Sequence, residues 1–344
     1  MKKLLYLTFF IIIMLLTILV ACGYPEIPLS EFSEEISYED NTPETEIAVE
    51  LEEVDDILIP EAEDIDILEE PDDNSIISGD VFVSTPQELF DAIAPDTYIV
   101  LKAGYYDLST VTETANRYVT SMNELAALMI YGVNNLTLIA EPGAKVELVT
   151  PDLFSEVLMF SHCNDIKLSG IYAGHSVTDE YQCDAGVVYF IDSTNIEIEN
   201  CWFYGSGSVG INLINCYNVM ISDTTITDCS LRAVYIHSSH YVIFRNCDFI
   251  NNRAYSNVIM GFNSSAEFIN CNITGNNNLL WGLIYFEGTA LFDGCIIKDN
   301  RLASGREPVF SGFDISIRNC EIEKKGFSEY WSGNIIDLGG NVLT

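Results

Sequence analysis

The residues best equipped for chemistry lie in one stretch, Ala173-Gly174-His175-Ser176-Val177-Thr178-Asp179-Glu180-Tyr181-Gln182-Cys183-Asp184-Ala185-Gly186. It concentrates one imidazole, a phenol and the carboxylates of Asp179, Glu180 and Asp184. His175 with Asp179, Glu180 or Asp184 is chemically sufficient for general acid–base catalysis, because imidazole titrates near neutrality and a carboxylate can orient it. The same carboxylates are hard oxygen ligands that would suit calcium; no other cofactor or metal is implied. The competing reading is a solvated polar loop. A second set is Tyr189, Asn212, Arg232, Tyr235 and His237, whose rings, amide and cation would bind a sugar by stacking and hydrogen bonding.

What must position these residues is a repeat. Asn195-Ile196-Glu197-Ile198-Glu199-Asn200-Cys201-Trp202-Phe203 alternates apolar and polar residues, then turns through an amide and a thiol. The phrase returns with its first apolar residue at 136, 166, 196, 219, 242, 266, 290 and 315, at intervals of 30, 30, 23, 23, 24, 24 and 25 residues. Period-two alternation predicts short strands with one buried face, and a fixed period in the twenties predicts a solenoid. A second strand precedes each phrase: Val188 and Phe190, Ile211 and Leu213, Val234 and Ile236, Val258 and Met260. The 30-residue intervals contain insertions, and 173–186 is the larger one. By this register Met159, Tyr189, Asn212, Tyr235, Ile259 and Leu283 stack outward, beside Ser161, Ile191, Ile214, His237, Gly261 and Tyr285. Asn200, Asp223, Asn246, Asn270 and Asn319 fall at equivalent turns, where stacked amides would satisfy one another. Cys247, Cys271, Cys295 and Cys320 form a parallel column. One thiol per rung fits no CxxC metal pattern and reads as small buried hydrophobes.

The rung pattern with its asparagine column resembles the right-handed parallel β-helix family, the pectate-lyase-like solenoids, over residues 81–344. The resemblance implies an all-β coil of about eight rungs with an N-terminal strand–helix cap. It implies a carbohydrate partner, either bound by a surface scaffold or cut by a polysaccharide lyase or glycoside hydrolase. Hydrolysis needs two carboxylates about 5–5.5 Å or about 6.5–9.5 Å apart, and the outward columns supply no such pair. Gly174-His175-Ser176 faintly resembles the Gly-His-Gly of polygalacturonases without their aspartates. Gly205-Ser206-Gly207-Ser208-Val209-Gly210 satisfies GxGxxG but lacks the following helix that a dinucleotide site requires.

The front of the chain predicts export. Met1-Lys2-Lys3 leads an apolar run that ends in Leu19-Val20-Ala21-Cys22, which looks like a bacterial lipobox with Cys22 as the lipidated residue. The expected organisation is a signal peptide over 1–21, a tether over 22–80, a cap over 81–130 and rungs over 131–344. Residues 24–80 hold 22 acidic residues and no Lys or Arg, a composition that stays extended. Residues 81–344 carry 30 acids against 13 bases, out of a formal charge of −37 for the whole chain. Nucleic acid is excluded as a partner, because its phosphates demand clustered cations. The expected setting is a lipid-anchored protein of the bacterial envelope facing an extracellular glycan.

Overall fold

The computed structural model describes residues 79–111, 113–122, 126–176, 184–277, 279–303 and 305–344. Short strands recur in threes and pair with their equivalents one turn along, almost all in parallel. We call the resulting stacks the first, second and third ladders. The first runs through Ala126–Tyr131, Glu156–Ser161, Val188–Ile191, Val209–Ile214 and Arg232–His237. The second runs through Thr97–Leu101, Asn134–Ala140, Asn164–Ser169, Thr194–Glu199, Tyr217–Ser222 and His240–Arg245. From Ile259–Ile269 onward a single long strand per turn serves both ladders. The third includes Val146–Thr150, Ile171–His175, Trp202–Tyr204 and Thr225–Thr227. One pairing is antiparallel: Val119–Met122 lies against Ala126–Tyr131.

Alternation explains the core. Ile196 and Ile198 are buried, whereas Glu197 between them is exposed and ion-paired with Lys167 at 3.1 Å. Identical side chains stack between turns, as in Phe244 on Phe268 at 5.0 Å and Phe268 on Phe292 at 4.6 Å, with planes within 5°. At the start of the coil, helix Pro86–Ala92 begins on a Thr85 cap, with Pro86 in its first turn, and buries Leu89 and Phe90. Coiling begins earlier than residue 131, since Thr97–Leu101 already pairs in register with Asn134–Ala140, and Gly104–Asp107 with Val146–Thr150.

Two columns have a different basis from the one the sequence suggested. Asn200, Asp223, Asn246, Asn270 and Asn319 are exposed and hold φ between 48° and 56°. Gly170, Gly294 and Gly340 take the same place at φ 66–73°. The column is therefore selected for the left-handed corner, which Asn, Asp and Gly tolerate, and only secondarily for side-chain bonds such as Asn246 Nδ2 to Asp223 Oδ1 at 3.2 Å. A buried amide ladder exists elsewhere. Asn252 Nδ2 donates to Asn276 Oδ1 at 3.0 Å, and Asn276 Nδ2 to Asn300 Oδ1 at 2.9 Å. Each also donates to a carbonyl of the preceding turn.

Candidate functional site

The outer face of the first ladder gathers the polar and aromatic side chains. In register, Met129, Met159, Tyr189, Asn212, Tyr235, Met260 and Tyr285 form one outward column. Ser161, Ile191, Ile214, His237, Phe262 and Glu287 form its neighbour. The expected stack thus holds as far as Tyr235 and His237 and then slips. Met260 and Tyr285 replace Ile259 and Leu283; Phe262 and Glu287 replace Gly261 and Tyr285. The cause is a shortened turn between ladders: His237 pairs with Phe262 but Val242 with Ala266, one residue fewer between the two, and the next turn shortens again at a register shift between Phe262 and Ser264. Val258 is buried as expected, but Ile259 and Gly261 point inward where Met260 was expected to, and the Phe286 ring occupies the space that a Cβ on Gly261 would need. A one-residue slip exchanges the faces of every following side chain.

Arg232 reaches this face through a bulge. The N–H groups of Ala233 and Val234 both donate to Val258 O, at 2.9 and 3.1 Å, which re-aims the residue before them. Its guanidinium carbon lies 5.0 Å from the centre of the Tyr235 ring, and Nη2 donates to Ser256 Oγ at 3.2 Å. Tyr235 stacks beside His237 at 6.2 Å, His237 lies 6.5 Å from Phe262, and Phe262 lies 5.4 Å from Tyr285. The strip opens into a hollow of about 570 Å³ lined by Asn257, Met260, Phe262, Trp281, Tyr285 and Glu307. Trp281 is 63% exposed, a flat apolar ring standing in solvent at its rim. Tyr285 donates to Glu287, a bond that pushes the phenol up to about 12.

Three polar atoms of this face, Asn212 Oδ1, Arg232 Nε and His237 Nδ1, are buried without a hydrogen-bond partner among the described residues. Buried polar groups are nearly always paired, so orphans that converge on one surface point to a missing ligand or solvent. Glu156, absent from the sequence-derived set, completes the face. Burial raises its carboxyl to about 7, partly offset by a backbone hydrogen bond from Gly186. A Cβ at Gly186 would collide with that carboxylate and with Val209 O. The signal available in the sequence was positional: Glu156 opens a rung strand, and a glycine stands opposite on the next turn.

Of the 173–186 constellation, residues 173–176 and 184–186 lie among the described residues, and 173–175 belong to a strand. His175 ends strand Ile171–His175 and is 3% exposed, with Nε2 3.0 Å from Ser155 O. Burial lowers its pKa, so the ring is held neutral. Register places Ala173, Gly174 and His175 opposite Leu148, Val149 and Thr150, which makes them rung residues and not insertion. Asp184 is exposed, and no hydrogen bond joins it to His175 among the described residues. Asp179 lies outside the described residues, as do Glu180 and Cys183. A separate hollow of about 480 Å³ over the second ladder includes Asn195, Asn218, Lys167 and Glu197. Its groups are already spent on one another: Asn218 donates to Asn195 at 2.8 Å, Asn195 to Asp165 at 2.9 Å.

Residues 181–343 match the family model described as right handed beta helix region. The described residues fold as a right-handed parallel β-helix. No curated protein matches the sequence. Among solved structures the β-helix is similar to Geobacillus virus E2 ORF18, at 11% identity and a TM-score of 0.44, covering 77% of this chain and 60% of that one. It is similar to the Agl-KA catalytic domain at 11% identity and 0.43, covering 78% and 69%. A GH136 lacto-N-biosidase from Eubacterium ramulus follows at 10% and 0.40, covering 76% and 64%. The β-helix thus spans about three fifths of the first of these.

Proposed function

We propose that the outer face of the first ladder is a glycan-binding groove and that the β-helix serves as its rigid scaffold. The observation that carries the reading is the convergence of three orphaned polar atoms with an aromatic strip, Tyr235, Phe262, Tyr285 and Trp281. Sugars present apolar faces to rings and hydroxyls to such orphans. The test is a glycan array probed with the full chain and with the Tyr235→Ala/Trp281→Ala double variant. The reading expects a restricted set of bound glycans, lost by the variant at unchanged melting temperature; no bound glycan, or binding that survives the substitution, refutes it.

One observation favours a catalytic second reading. A buried carboxylic acid that titrates near neutrality suits a general acid, and Glu156 is one. Asp184, exposed two residues before Gly186 on the adjacent turn, would be its carboxylate partner. Glu287 cannot serve: it lies five turns from the Glu156–Ser161 strand, about 24 Å at one strand spacing per turn. Release of reducing ends from an array-positive glycan, abolished by Glu156→Gln, would establish hydrolysis; binding without release would leave the groove a receptor.

The proposal extends to place. Cys22 and residues 24–80, outside the described residues, are read as a lipid anchor and an acidic tether that hold the groove off a bacterial membrane.

A further inference from the structure

Arg232 carries a charge that no carboxylate contacts among the described residues, although Glu156, Glu287 and Glu307 border the same face. The guanidinium is pinned by the Tyr235 ring at 5.0 Å and by Ser256 Oγ at 3.2 Å, and neither is an anion. Nε is buried and unbonded, and no carboxylate pairs with the group among the described residues. This is notable in a region with 30 acids and 13 bases, where Lys167 alone meets both Glu197 and Glu199 at 3.1 Å. A buried cation without a counter-charge is costly, and an oxyanion would relieve that cost. Desolvation lowers its pKa in the direction that expectation requires. Nε is enclosed, so the terminal nitrogens of this half-buried side chain, held against the Tyr235 ring, are the donors left to receive carboxylate, sulfate or phosphate.

We propose that Arg232 is the subsite for one anionic substituent on an otherwise neutral glycan. The inference rests on the glycan reading of the groove and names what that glycan must carry. A polyanion is disfavoured because the surrounding acidic surface repels charge that Arg232 alone cannot offset. The residue in register with it on the preceding turn, Val209, and its partner on the following turn, Ser256, are uncharged. Beyond them the aromatic hollow offers rings and amides to neutral sugar units.

The test uses the full chain and matched oligosaccharides: each neutral chain beside the same chain with one uronate, one sulfate or one phosphate ester, and a polyuronate. The expected result is about tenfold tighter binding of a singly charged member than of its neutral parent, the worth of one charge-assisted hydrogen bond. Arg232→Gln should bind both at the neutral level and melt no lower than the wild type. Which anion is preferred identifies its source. Equal affinity for charged and neutral members, or best binding of the polyuronate, overturns the subsite while leaving the glycan groove in place. A second arm needs no sugar. Acetate or sulfate should raise the melting temperature of the wild type over Arg232→Gln, relative to chloride at matched ionic strength. An identical response in both proteins overturns the subsite, and failure to bind any oligosaccharide overturns the glycan reading on which it rests.

Discussion

At the scale of single residues, the most informative group is Glu156. Its carboxyl titrates near 7 in the folded chain against a usual value of 4.5, because burial disfavours the charged form. Between those values the unfolded chain has released a proton that the folded chain retains, so stability falls as pH rises from about 4.5 to about 7. Glu156→Gln should abolish that slope and melt higher than wild type at pH 8, while matching it at pH 4. Melting temperatures across this range decide the matter; parallel curves would remove Glu156 from the buried set. The thiols make a second residue-scale case. Cys247, Cys271, Cys295 and Cys320 are buried and free, and Cys271 Sγ donates to Phe244 O and Ile269 O at 3.5 Å. They occupy equivalent places on successive turns, where parallel Cβ directions hold neighbouring Cβ atoms about 4.8 Å apart, beyond the ~3.5–4.5 Å of a disulfide. Burial also pushes Cys201 and Cys216 up to about 12, which keeps them as unreactive thiols. Alkylation followed by mass spectrometry should label these cysteines only after denaturation. A Cys247–Cys271 or Cys295–Cys320 disulfide would contradict the parallel register.

At the scale of elements, each strand depends on keeping its face. Ile198→Asp places a carboxylate in a column of zero exposure and should cost several kcal/mol, or force protonation. Glu197→Ala removes only an exposed ion pair with Lys167 and should cost about 1 kcal/mol or less. Chemical denaturation of both variants checks this; similar losses would invalidate the inward assignment. In the buried amide ladder, Asn276→Ala strips donors from Asn300 Oδ1 and Phe249 O and should cost about 2–4 kcal/mol. The sequence made the strands legible because period two survives any loop length, and Ile196, Ile198, Val219 and Ile221 announce it. It did not reveal where a turn would shorten. The exchange of Ile259 for Met260 in the outward column arises from that shortened turn, and Gly261 offered no apolar side chain to mark it as inward. The amide ladder stayed hidden for a related reason: Asn252, Asn276 and Asn300 look like loop residues until their carbonyl partners are in place.

At the scale of the whole molecule, the candidate site was half legible. Tyr189, Asn212, Tyr235 and His237 share one face because adjacent turns repeat at 23 residues there, so counting suffices, whereas Arg232 joins them through a bulge. His175 misled because a histidine among acids reads as a loop, whereas its strand runs on through His175, past residue 173 where the insertion was expected to begin, and draws it inside. Glu156 escaped because it opens its strand, ahead of the alternating residues that mark the register, and Trp281 because it lies in the bend before its strand. The proposed envelope location has its own test: Cys22→Ala should leave an unlipidated, uncleaved precursor, and a membrane-bound mature form of that variant would refute the anchor. The central claim concerns which face meets the ligand, and hydroxyl-radical footprinting reads that directly because Met, Trp, Tyr and Phe are the reactive side chains on it. With a bound glycan, the account predicts protection of Trp281, Tyr285, Met260 and Phe262, while Tyr217 and Tyr241, paired at 4.8 Å at the start of second-ladder strands, stay fully reactive. Protection of Tyr217 and Tyr241 with no change at Trp281 and Tyr285 would contradict it.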